Sequence, residues 1–421
     1  MIKHYSSTPG VLLSAKMANY NPIELPDEIW IIIFTNLCTE DIFQNVILVC
    51  KRFHILCMDS TSVLIKNMSM SRRGSTSRNF DFASQDNEYK LLKSSKQLNS
   101  LSVSNRTDVE YLLYLALQHS PNLRHMELKN CDLSNDCRAT IVVKGQSLQH
   151  ISLIKCKNDF SSDDICSTAK TISMEMFRIS AFQEFDLGEF LISLAYHCIN
   201  LNSLHLESLA SEESIITFLK TRRENLKILK FAEYIQGYQW FHHLQYCENL
   251  QELTIINGEN IDHCAMEAIS KLSQLKNLTL NSVHNVLDQD FISLISNLNN
   301  LKHLDLSCCN INDEVLKVVS INCLNLKVLC INWCENICDC YSLCFMPKYS
   351  TTLEKLSLRG LNKIESSSSI SRIIESLPNL DYLDLFDGPK TNDSCLKRLL
   401  MNNAKLKIID NYGRAVTKSE N

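Results

Sequence analysis

A six-residue pattern, apolar-x-x-apolar-x-apolar, recurs along this chain at nearly constant spacing. Successive copies begin 24 to 27 residues apart. Their first residues are Leu98, Leu123, Leu148, Met174, Leu201, Leu226, Leu250, Leu275, Leu301, Leu326, Leu353, Leu380 and Leu406. A unit this short cannot enclose a core by itself. The period therefore predicts a solenoid, in which each unit buries its apolar side against its neighbours.

Each repeat has two halves with different hydrophobic periods. In the segment 301–306, Leu304 and Leu306 alternate with polar residues, which indicates a strand with its leucines pointing inward. In the segment 288–298, apolar residues recur every three or four positions, which indicates a helix. Stacking such units predicts an α/β solenoid with a curved parallel sheet inside and helices outside.

Cysteine recurs at two fixed places in these units. It stands eight residues after some repeat starts, at Cys131, Cys156, Cys309 and Cys334, and three residues before others, at Cys198, Cys247 and Cys323. A small thiol suits a tight buried turn, so we expect these side chains to be packed and reduced. The pattern resembles the cysteine-containing subclass of leucine-rich repeats, with about 13 repeats over residues 98–410.

A short apolar segment precedes the repeats. It opens with Leu25-Pro-Asp-Glu-Ile29, in which proline suits the first turn of a helix and the acidic residues favour its positive end. A predicted apolar stripe follows, formed by Ile29, Ile33, Phe34 and Leu37. Two further short helices come after it. A unit of about 40 residues cannot bury all of this surface, so part of it must meet the repeats or another protein.

Three motifs of this segment occur in the order and spacing of an F-box, which the segment resembles. They are Leu-Pro-x-Glu-Ile, Ile-Phe-x-x-Leu and Val-Cys-Lys-Arg-Phe. F-boxes followed by leucine-rich repeats form a known family, and the resemblance implies docking onto the Skp-family adaptor of a cullin–RING ubiquitin ligase. It places the adaptor contacts at Leu25, Pro26, Ile29, Ile33, Leu37, Val49, Cys50 and Lys51. Phe53 stands where many family members have tryptophan.

These features divide the chain into five segments. We expect a disordered N-terminal tail at 1–20, the F-box at 21–65, a capping strand and mobile loop at 66–97, the repeats at 98–410 and a C-terminal tail at 411–421. The capping strand is indicated by Ile65, Met68 and Met70, which repeat the leucine pattern. The polar composition of 71–84 indicates the loop. The tail is either loose or folded over the concave face.

Charge and hydropathy exclude two classes of partner. A formal net charge of −5, spread over the chain, gives no concentrated basic surface, so we expect neither nucleic acid nor membrane as a partner. The longest apolar run, 29–34, is far shorter than the roughly 20 residues that span a bilayer. The N-terminus lacks the apolar core of a secretory signal, so we expect the protein in the cytoplasm or nucleus.

The sequence offers no reaction centre. The densest cysteine cluster lacks a C-x2-C pair and a histidine ligand, and its first member already has a place in a repeat turn. The cluster consists of Cys334, Cys338, Cys340 and Cys344. No cysteine stands with a histidine and an acidic residue in a recognisable catalytic pattern, and glycine is too rare for a phosphate loop. We expect no cofactor, no bound metal and no catalysis by this chain itself.

Outward-facing strand positions are the candidates for substrate binding. The predicted concave positions are Lys302, His303, Asp305, Glu354, Lys355, Arg359, Asp381, Tyr382, Asp384 and Phe386. Most are expected to be ordinary solvated positions. Because aromatic side chains dominate interface energies, Tyr382 and Phe386 are the strongest candidates for substrate anchors. His303 and Asp305 complete the set of candidate substrate contacts.

Two functions remain open. The first is the substrate-recognition subunit of an SCF-type (Skp–cullin–F-box) ubiquitin ligase, which works by holding the substrate near a charged conjugating enzyme. The second is a leucine-rich-repeat scaffold or inhibitor without a role in ubiquitin transfer, in which the N-terminal helices only cap the stack. A cap would bury Ile29, Ile33 and Leu37 against the first repeat, whereas an F-box leaves much of that stripe open.

Overall fold

The structure is a computed structural model that describes most of the repeats and parts of the N-terminal segment. The described residues are 25–34, 46, 49–59, 67–71, 89–133 except 91 and 94, 140, 147–158, 176–181, 188–207, 210–231, 237–338, 352–364, 370, 377–403 and 405–416. The predicted tail 1–20, Leu37, nearly all of the predicted mobile loop and the residues after 416 lie outside them.

The strands of the described residues form one sheet in which neighbours along the chain pair in parallel, except for the last pair, which is antiparallel. They are β1 (Asn67–Ser71), β2 (Ser100–Ser104), β3 (His125–Lys129), β4 (Asp132–Leu133), β5 (His150–Asn158), β6 (Met176–Ala181), β7 (Ser203–Leu206), β8 (Ile228–Phe231), β9 (Glu252–Ile255), β10 (Asn277–Leu280), β11 (His303–Asp305), β12 (Val328–Cys330), β13 (Lys355–Ser357), β14 (Tyr382–Asp384), β15 (Lys407–Ile409) and β16 (Ala415–Val416). Only β4, a short strand beside β5, lies off the main path.

The first two described helices precede the sheet, and the others lie between its strands on the outside of the solenoid. Those described are α1 (Asp27–Phe34), α2 (Lys51–Asp59), α3 (Val109–His119), α4 (Gly188–His197), α5 (Glu212–Arg222), α6 (Phe241–Leu244), α7 (His263–Ser270), α8 (Asp288–Asn297), α9 (Asp313–Asn322) and α10 (Asp393–Asn402). Polar residues begin several of them: the Asn312 side chain accepts a hydrogen bond from the backbone N–H of Glu314 at 2.9 Å, and Asp262 accepts one from Ala265 at 2.8 Å. Successive helices α7, α8 and α9 pack side by side.

The inward-facing apolar residues of successive repeats lie directly opposite each other. Leu101 pairs with Met126 and Met126 with Ile151. The same register continues through Leu304 and Leu329 to Leu383. This confirms the predicted repeat starts from Leu98 to Leu380, apart from Met174, which lies outside the described residues. The start at Leu406 is confirmed too, because Leu406 is buried and its N–H donates to the Asn403 carbonyl as that of Leu380 does to Leu377. The strand of this last repeat begins one residue sooner than the pattern predicts, because Ile408 rather than Ile409 pairs with Leu383.

Both ends of the sheet carry an additional strand. At the first end, Met68 and Met70 of β1 pair with Leu101 and Val103 and are buried. At the other end, β16 runs antiparallel to β15. The described part of the predicted C-terminal tail is therefore a hairpin at the sheet edge, neither loose nor folded over the concave face.

The cysteines that stand eight residues after the repeat starts occupy the turns that follow the strands. Cys309 donates its thiol hydrogen to the carbonyl oxygen of Leu280 at 3.0 Å, and Cys334 donates to that of Leu306 at 3.1 Å, each acceptor lying in the preceding repeat. Burial raises the pKa of Cys309 to about 12 and that of Cys334 further still. The predicted packing role of these two thiols is confirmed, and both are free rather than disulfide-bonded.

A left-handed residue ends the strand in each well-described repeat. It stands seven residues after the repeat start and has a positive φ. These residues are Asn105, Asn130, Lys155, Asn257, Ser282, Cys308, Trp333, Gly360 and Asp387. The left-handed region is unfavourable for a residue with a Cβ, so the turn takes the same shape in each repeat despite a local cost. Its backbone links repeats as well: the N–H of Trp333 donates to the carbonyl of Arg359 at 2.7 Å.

A buried ion pair in the first repeat makes stability depend on pH. Arg106, almost fully buried, donates to both carboxylate oxygens of Asp108 at 2.8 and 2.7 Å, and the Tyr89 hydroxyl donates at 2.8 Å. Burial alone would raise the pKa of Asp108, but these hydrogen bonds and the Arg106 charge lower it to about 2. Because the folded pKa lies below the unfolded value, the stabilisation is complete above about pH 4 and is lost between pH 4 and 2.

We expect Asp108→Asn to lower the free energy of unfolding by about 2 kcal/mol at pH 7. The difference from wild type should shrink as the pH falls from 4 to 2, since the wild-type carboxylate then becomes neutral too. Urea unfolding of both proteins at several pH values measures it. A difference that stayed constant down to pH 2 would contradict the role of this ion pair.

Candidate functional site

The two described N-terminal helices meet in a small aromatic core. Phe34 of α1 packs edge-on against Phe53 of α2 at 5.2 Å between ring centroids, and Trp30 packs on Phe53 at 4.5 Å. Leu56 and Cys57 complete the cluster, and no member of it belongs to the buried cluster of the repeats. Phe53, at the position where the F-box family often has tryptophan, thus fills the centre of this core.

Arg52 fixes the start of α1 against α2. Its Nη2 donates to the carbonyl oxygen of Leu25 at 2.7 Å, and its Nε donates to the carboxylate of Asp27 at 2.9 Å. The Leu25-Pro26 opening therefore has a defined position beside α2 although Pro26 is exposed. The backbone N–H of Ile29 donates to the carbonyl of Pro26 at 3.1 Å, which begins the helix.

The predicted apolar stripe of α1 divides into an inner and an outer side. Phe34 is 2% exposed, whereas Ile29 is 41% and Ile33 is 38% exposed. The prediction of one stripe containing all three is wrong, because Phe34 and Trp30 turn toward α2 while the isoleucines turn outward. Ile32, which the sequence interpretation did not single out, joins the outer side at 59% exposure.

The remaining predicted adaptor contacts have mixed exposure. Val49 is 66% exposed and Lys51 is exposed, while Leu25 and Cys50 are half-buried. Leu37 lies outside the described residues. The N-terminal helices therefore present an outer apolar surface, which we define by Ile29, Ile32, Ile33 and Val49 and call the isoleucine surface.

The four candidate substrate contacts share one face of the sheet but do not form one cluster. His303 and Asp305 belong to β11, Tyr382 belongs to β14, and two strands lie between them. The two pairs are therefore roughly 14 Å apart along the sheet. His303 is half-buried, and desolvation lowers its pKa. Asp305 serves its own turn, where it accepts hydrogen bonds from the backbone N–H of Ser307 at 2.9 Å and from the Ser307 hydroxyl at 2.5 Å.

Asp384 departs from its predicted role as a solvated position, since it is only 1% exposed. Its Oδ2 accepts from Arg359 Nε at 2.8 Å, from Arg359 Nη2 at 2.6 Å and from the Tyr382 hydroxyl at 3.0 Å. Its Oδ1 accepts from the backbone N–H of Phe386 at 3.1 Å. Four donors thus compensate the burial of this carboxylate, and both aromatic anchor candidates are held by it.

The network continues toward the centre of the sheet. Asn332 Oδ1 accepts from the Ser357 hydroxyl at 2.6 Å and from the backbone N–H of Arg359 at 3.0 Å. The Asn332 amide donates to the Ser307 hydroxyl at 3.1 Å. Polar groups of four successive repeats are therefore linked where the strands end. The sequence interpretation missed Asn332 and Trp333, although both follow the strand pattern directly, as Arg359 does in the next repeat.

Metal and membrane sites receive no support from the described residues. In that part of the chain, no group of three or more His, Cys, Asp or Glu side chains is arranged to hold a metal ion. Cys338 is exposed, and Cys340 and Cys344 lie outside the described residues. No helix of the same part combines the length and the apolar composition that crossing a bilayer requires.

Both the N-terminal helices and the repeats match known protein families. Residues 23–66 match the family described as F-box-like. Residues 237–418 match the family described as FBD-associated F-box protein At5g56370, LRR repeats. The chain is an F-box/leucine-rich-repeat protein. The F-box match contains all the predicted adaptor contacts, and the repeat match contains all the candidate substrate contacts.

Individual relatives of this F-box/leucine-rich-repeat protein are distant. F-box/LRR-repeat protein 4 of Bos taurus is 27% identical over 164 residues, which are 38% of this chain and 26% of the relative. The chain thus covers only about a quarter of that protein. The crystal structure of the yeast Rad7 and Elc1 complex contains a chain with 15% identity and a TM-score of 0.58, covering 92% of this chain and 93% of that one. An internalin, inlF of Listeria monocytogenes, is 16% identical with a TM-score of 0.46, covering 83% and 88%.

Proposed function

We propose that this chain is the substrate-recognition subunit of an SCF-type ubiquitin ligase. Its F-box docks a Skp-family adaptor, and through it a cullin–RING ligase, while the repeats bind the protein to be ubiquitinated. The chain itself is non-catalytic in this proposal. Its contribution is proximity, because it holds a substrate lysine near the charged conjugating enzyme.

The isoleucine surface carries this proposal. Ile29, Ile32 and Ile33 are three and four positions apart, so they project from one side of α1 while the aromatic core forms on the other. Exposed isoleucines in so small a unit are costly in water unless a partner covers them. An N-terminal cap of the solenoid would instead bury Ile29 and Ile33, so this exposure favours adaptor docking over the scaffold alternative.

The substrate contacts are a second part of the same proposal. Tyr382 and Phe386 are held in place by Asp384, and Phe386 is 40% exposed, as an anchor must be before binding. His303 and Asp305 lie on the same face and extend the proposed contact area toward the middle of the solenoid.

Co-purification with a Skp-family adaptor tests the proposal. Leu25→Ala with Pro26→Ala should reduce the recovered adaptor at least tenfold, because the change removes apolar contacts beside α1 while the Leu25 carbonyl still receives Arg52. The matched control is Ile199→Ser, an exposed apolar residue of the repeats, which should leave recovery unchanged. If the double variant retained the adaptor while the full chain stayed folded, the proposed docking surface would be wrong.

A further inference from the structure

Three aromatic side chains project where the strands of the last repeats end. Trp333, Phe386 and Tyr412 are all exposed, and we call them the aromatic ridge. Trp333 lies on Gly360 so closely that a Cβ there would overlap its ring, and a Cβ at Gly413 would lie 3.1 Å from the Phe386 ring, closer than ordinary van der Waals contact. Each of these two rings thus packs on a glycine of a neighbouring repeat, where the absence of a side chain leaves room for it. The rings are held in position before any partner arrives.

Two arginines stand among these rings. The Arg359 guanidinium lies 5.9 Å from the Phe386 ring centroid, and that of Arg414 lies 5.2 Å from the Tyr412 ring centroid. Each is fixed by a buried aspartate: Arg359 by Asp384 and Arg414 by Asp410, whose Oδ2 accepts from Arg414 Nε at 2.6 Å. The arginine side chains remain 44% and 62% exposed, whereas the aspartate side chains are 2% and 1% exposed.

This arrangement hides the negative charges and displays the positive ones. Asp410 accepts from the backbone N–H groups of Tyr412 and Arg414, so its oxygens are occupied from within the hairpin. The oxygens of Asp384 are likewise occupied by Tyr382, Phe386 and Arg359. A partner approaching from solvent therefore meets the exposed parts of the two guanidinium groups.

The surrounding exposed charges are mostly positive too. Among the described residues from β13 to β15, outside α10, the exposed lysines are Lys355, Lys363, Lys390, Lys405 and Lys407. Lys355 and Lys407 lie on either side of Tyr382 in the sheet register. Exposed acidic residues in the same segments are Asp381 and Asp387, while Glu354 pairs with Lys327 at 2.6 Å, and Glu335 is exposed beside Trp333. The excess of positive charge fits an acidic partner.

We propose that the aromatic ridge and its two arginines bind an extended acidic segment of the substrate protein, with aspartate or glutamate side chains on Arg359 and Arg414 and an apolar side chain on Phe386. This deepens the proposed function and rests on it. Arg359 and Arg414 belong to repeats two strands apart, so their spacing is about 10 Å. Carboxylates three residues apart in a polyproline-like segment are roughly 9 Å apart, which matches this spacing.

Binding of short fluorescent peptides to the full chain tests the proposal. The first peptide has glutamates three residues apart around a phenylalanine in a proline-rich frame, the second has glutamine at those positions, and the third has phosphoserine there. We expect the glutamate peptide to bind at least tenfold more tightly than the glutamine peptide and to lose affinity as salt is raised. Equal binding of the two would overturn the proposal. Binding of the phosphoserine peptide alone would replace carboxylate by phosphate as the recognised group and overturn it as well.

Arginine variants localise the effect. Arg359→Gln with Arg414→Gln should weaken the glutamate peptide at least tenfold, since both charged contacts are lost while polar side chains remain beside the buried aspartates. The control is Lys271→Gln with Lys317→Gln, which removes two similarly exposed charges, one just after α7 and one in α9, and should not change binding. Unchanged binding by the double arginine variant would exclude this site. Adaptor co-purification should be normal for both double variants. A failure of the proposed peptide site is therefore distinguishable from a failure of the proposed ligase role.

Discussion

Phe34→Ala is expected to unfold the F-box helices while the repeats stay folded. Truncating a buried phenylalanine costs about 3–5 kcal/mol. A unit of about 40 residues has only a few kcal/mol of total stability, so the loss matches or exceeds what is available. The ring of Phe34 contacts both Trp30 and Phe53, so its removal opens the centre of the aromatic core.

Hydrogen exchange separates the two parts of the chain in one experiment. Amide protection should disappear in α1 and α2 and remain unchanged in β9 to β14, because the two buried clusters share no residue. Ile32→Ala on the exposed side of the same helix is the control, with an expected change within about 0.5 kcal/mol. Protection of α1 in the Phe34 variant equal to that in wild type would mean that the F-box is stabilised from elsewhere.

The Phe34→Ala variant should also lose adaptor binding. Phe34 is not part of the isoleucine surface, yet the surface exists only while α1 is folded against α2. We therefore expect Phe34→Ala to reduce adaptor co-purification at least as strongly as the Leu25 and Pro26 change is expected to.

Asp384→Ala is expected to destabilise the last repeats by about 2–3 kcal/mol. The substitution removes the acceptor for the Tyr382 hydroxyl, the Phe386 N–H and the Arg359 guanidinium at once. The substitution leaves several partly buried hydrogen-bond donors without an acceptor. Their unfavourable desolvation free energy exceeds the net stabilisation that the hydrogen bonds of the carboxylate provide. Asp384→Asn keeps an acceptor oxygen and should cost less.

Urea unfolding followed by amide exchange in β13, β14 and β15 measures this effect. Asp381→Ala is the matched control, because Asp381 precedes the same strand and is exposed. Its expected change is within about 0.5 kcal/mol. Equal stability of the Asp384 and Asp381 variants would show that the buried network contributes nothing to these repeats.

The hydrophobic period predicted the sheet almost completely. The pattern alone predicted a capping strand that contains Met68, and the structure pairs Met68 with Leu101. Period-2 alternation fixes which face each side chain takes, and stacking of equal units fixes the register. The error at the last repeat has the same origin, because Lys407 to Ile409 offers two adjacent isoleucines and the pattern selected the wrong one.

Side-chain partners were much less predictable. Asp305, Asp384 and Arg359 all stand at positions that alternation assigns to the exposed face. Whether such a residue is solvated or buried depends on groups about 25 positions away in the next repeat, as with Arg359 and Asp384. The prediction of a single α1 stripe failed for a related reason: Phe34 turns inward because Phe53 and Trp30 pack against it.

The left-handed residue after each strand limits how this chain can vary. At Asn105, Asn257, Cys308 and their equivalents the backbone requires a sign of φ that valine, isoleucine and threonine tolerate badly. Each repeat therefore carries a second constraint, which comes from the backbone conformation and is independent of hydropathy. It recurs at the same interval as the leucines. A mutational scan of the solenoid should therefore show two sets of intolerant positions with the same spacing. One set requires an apolar side chain, and the other requires a residue that tolerates a positive φ.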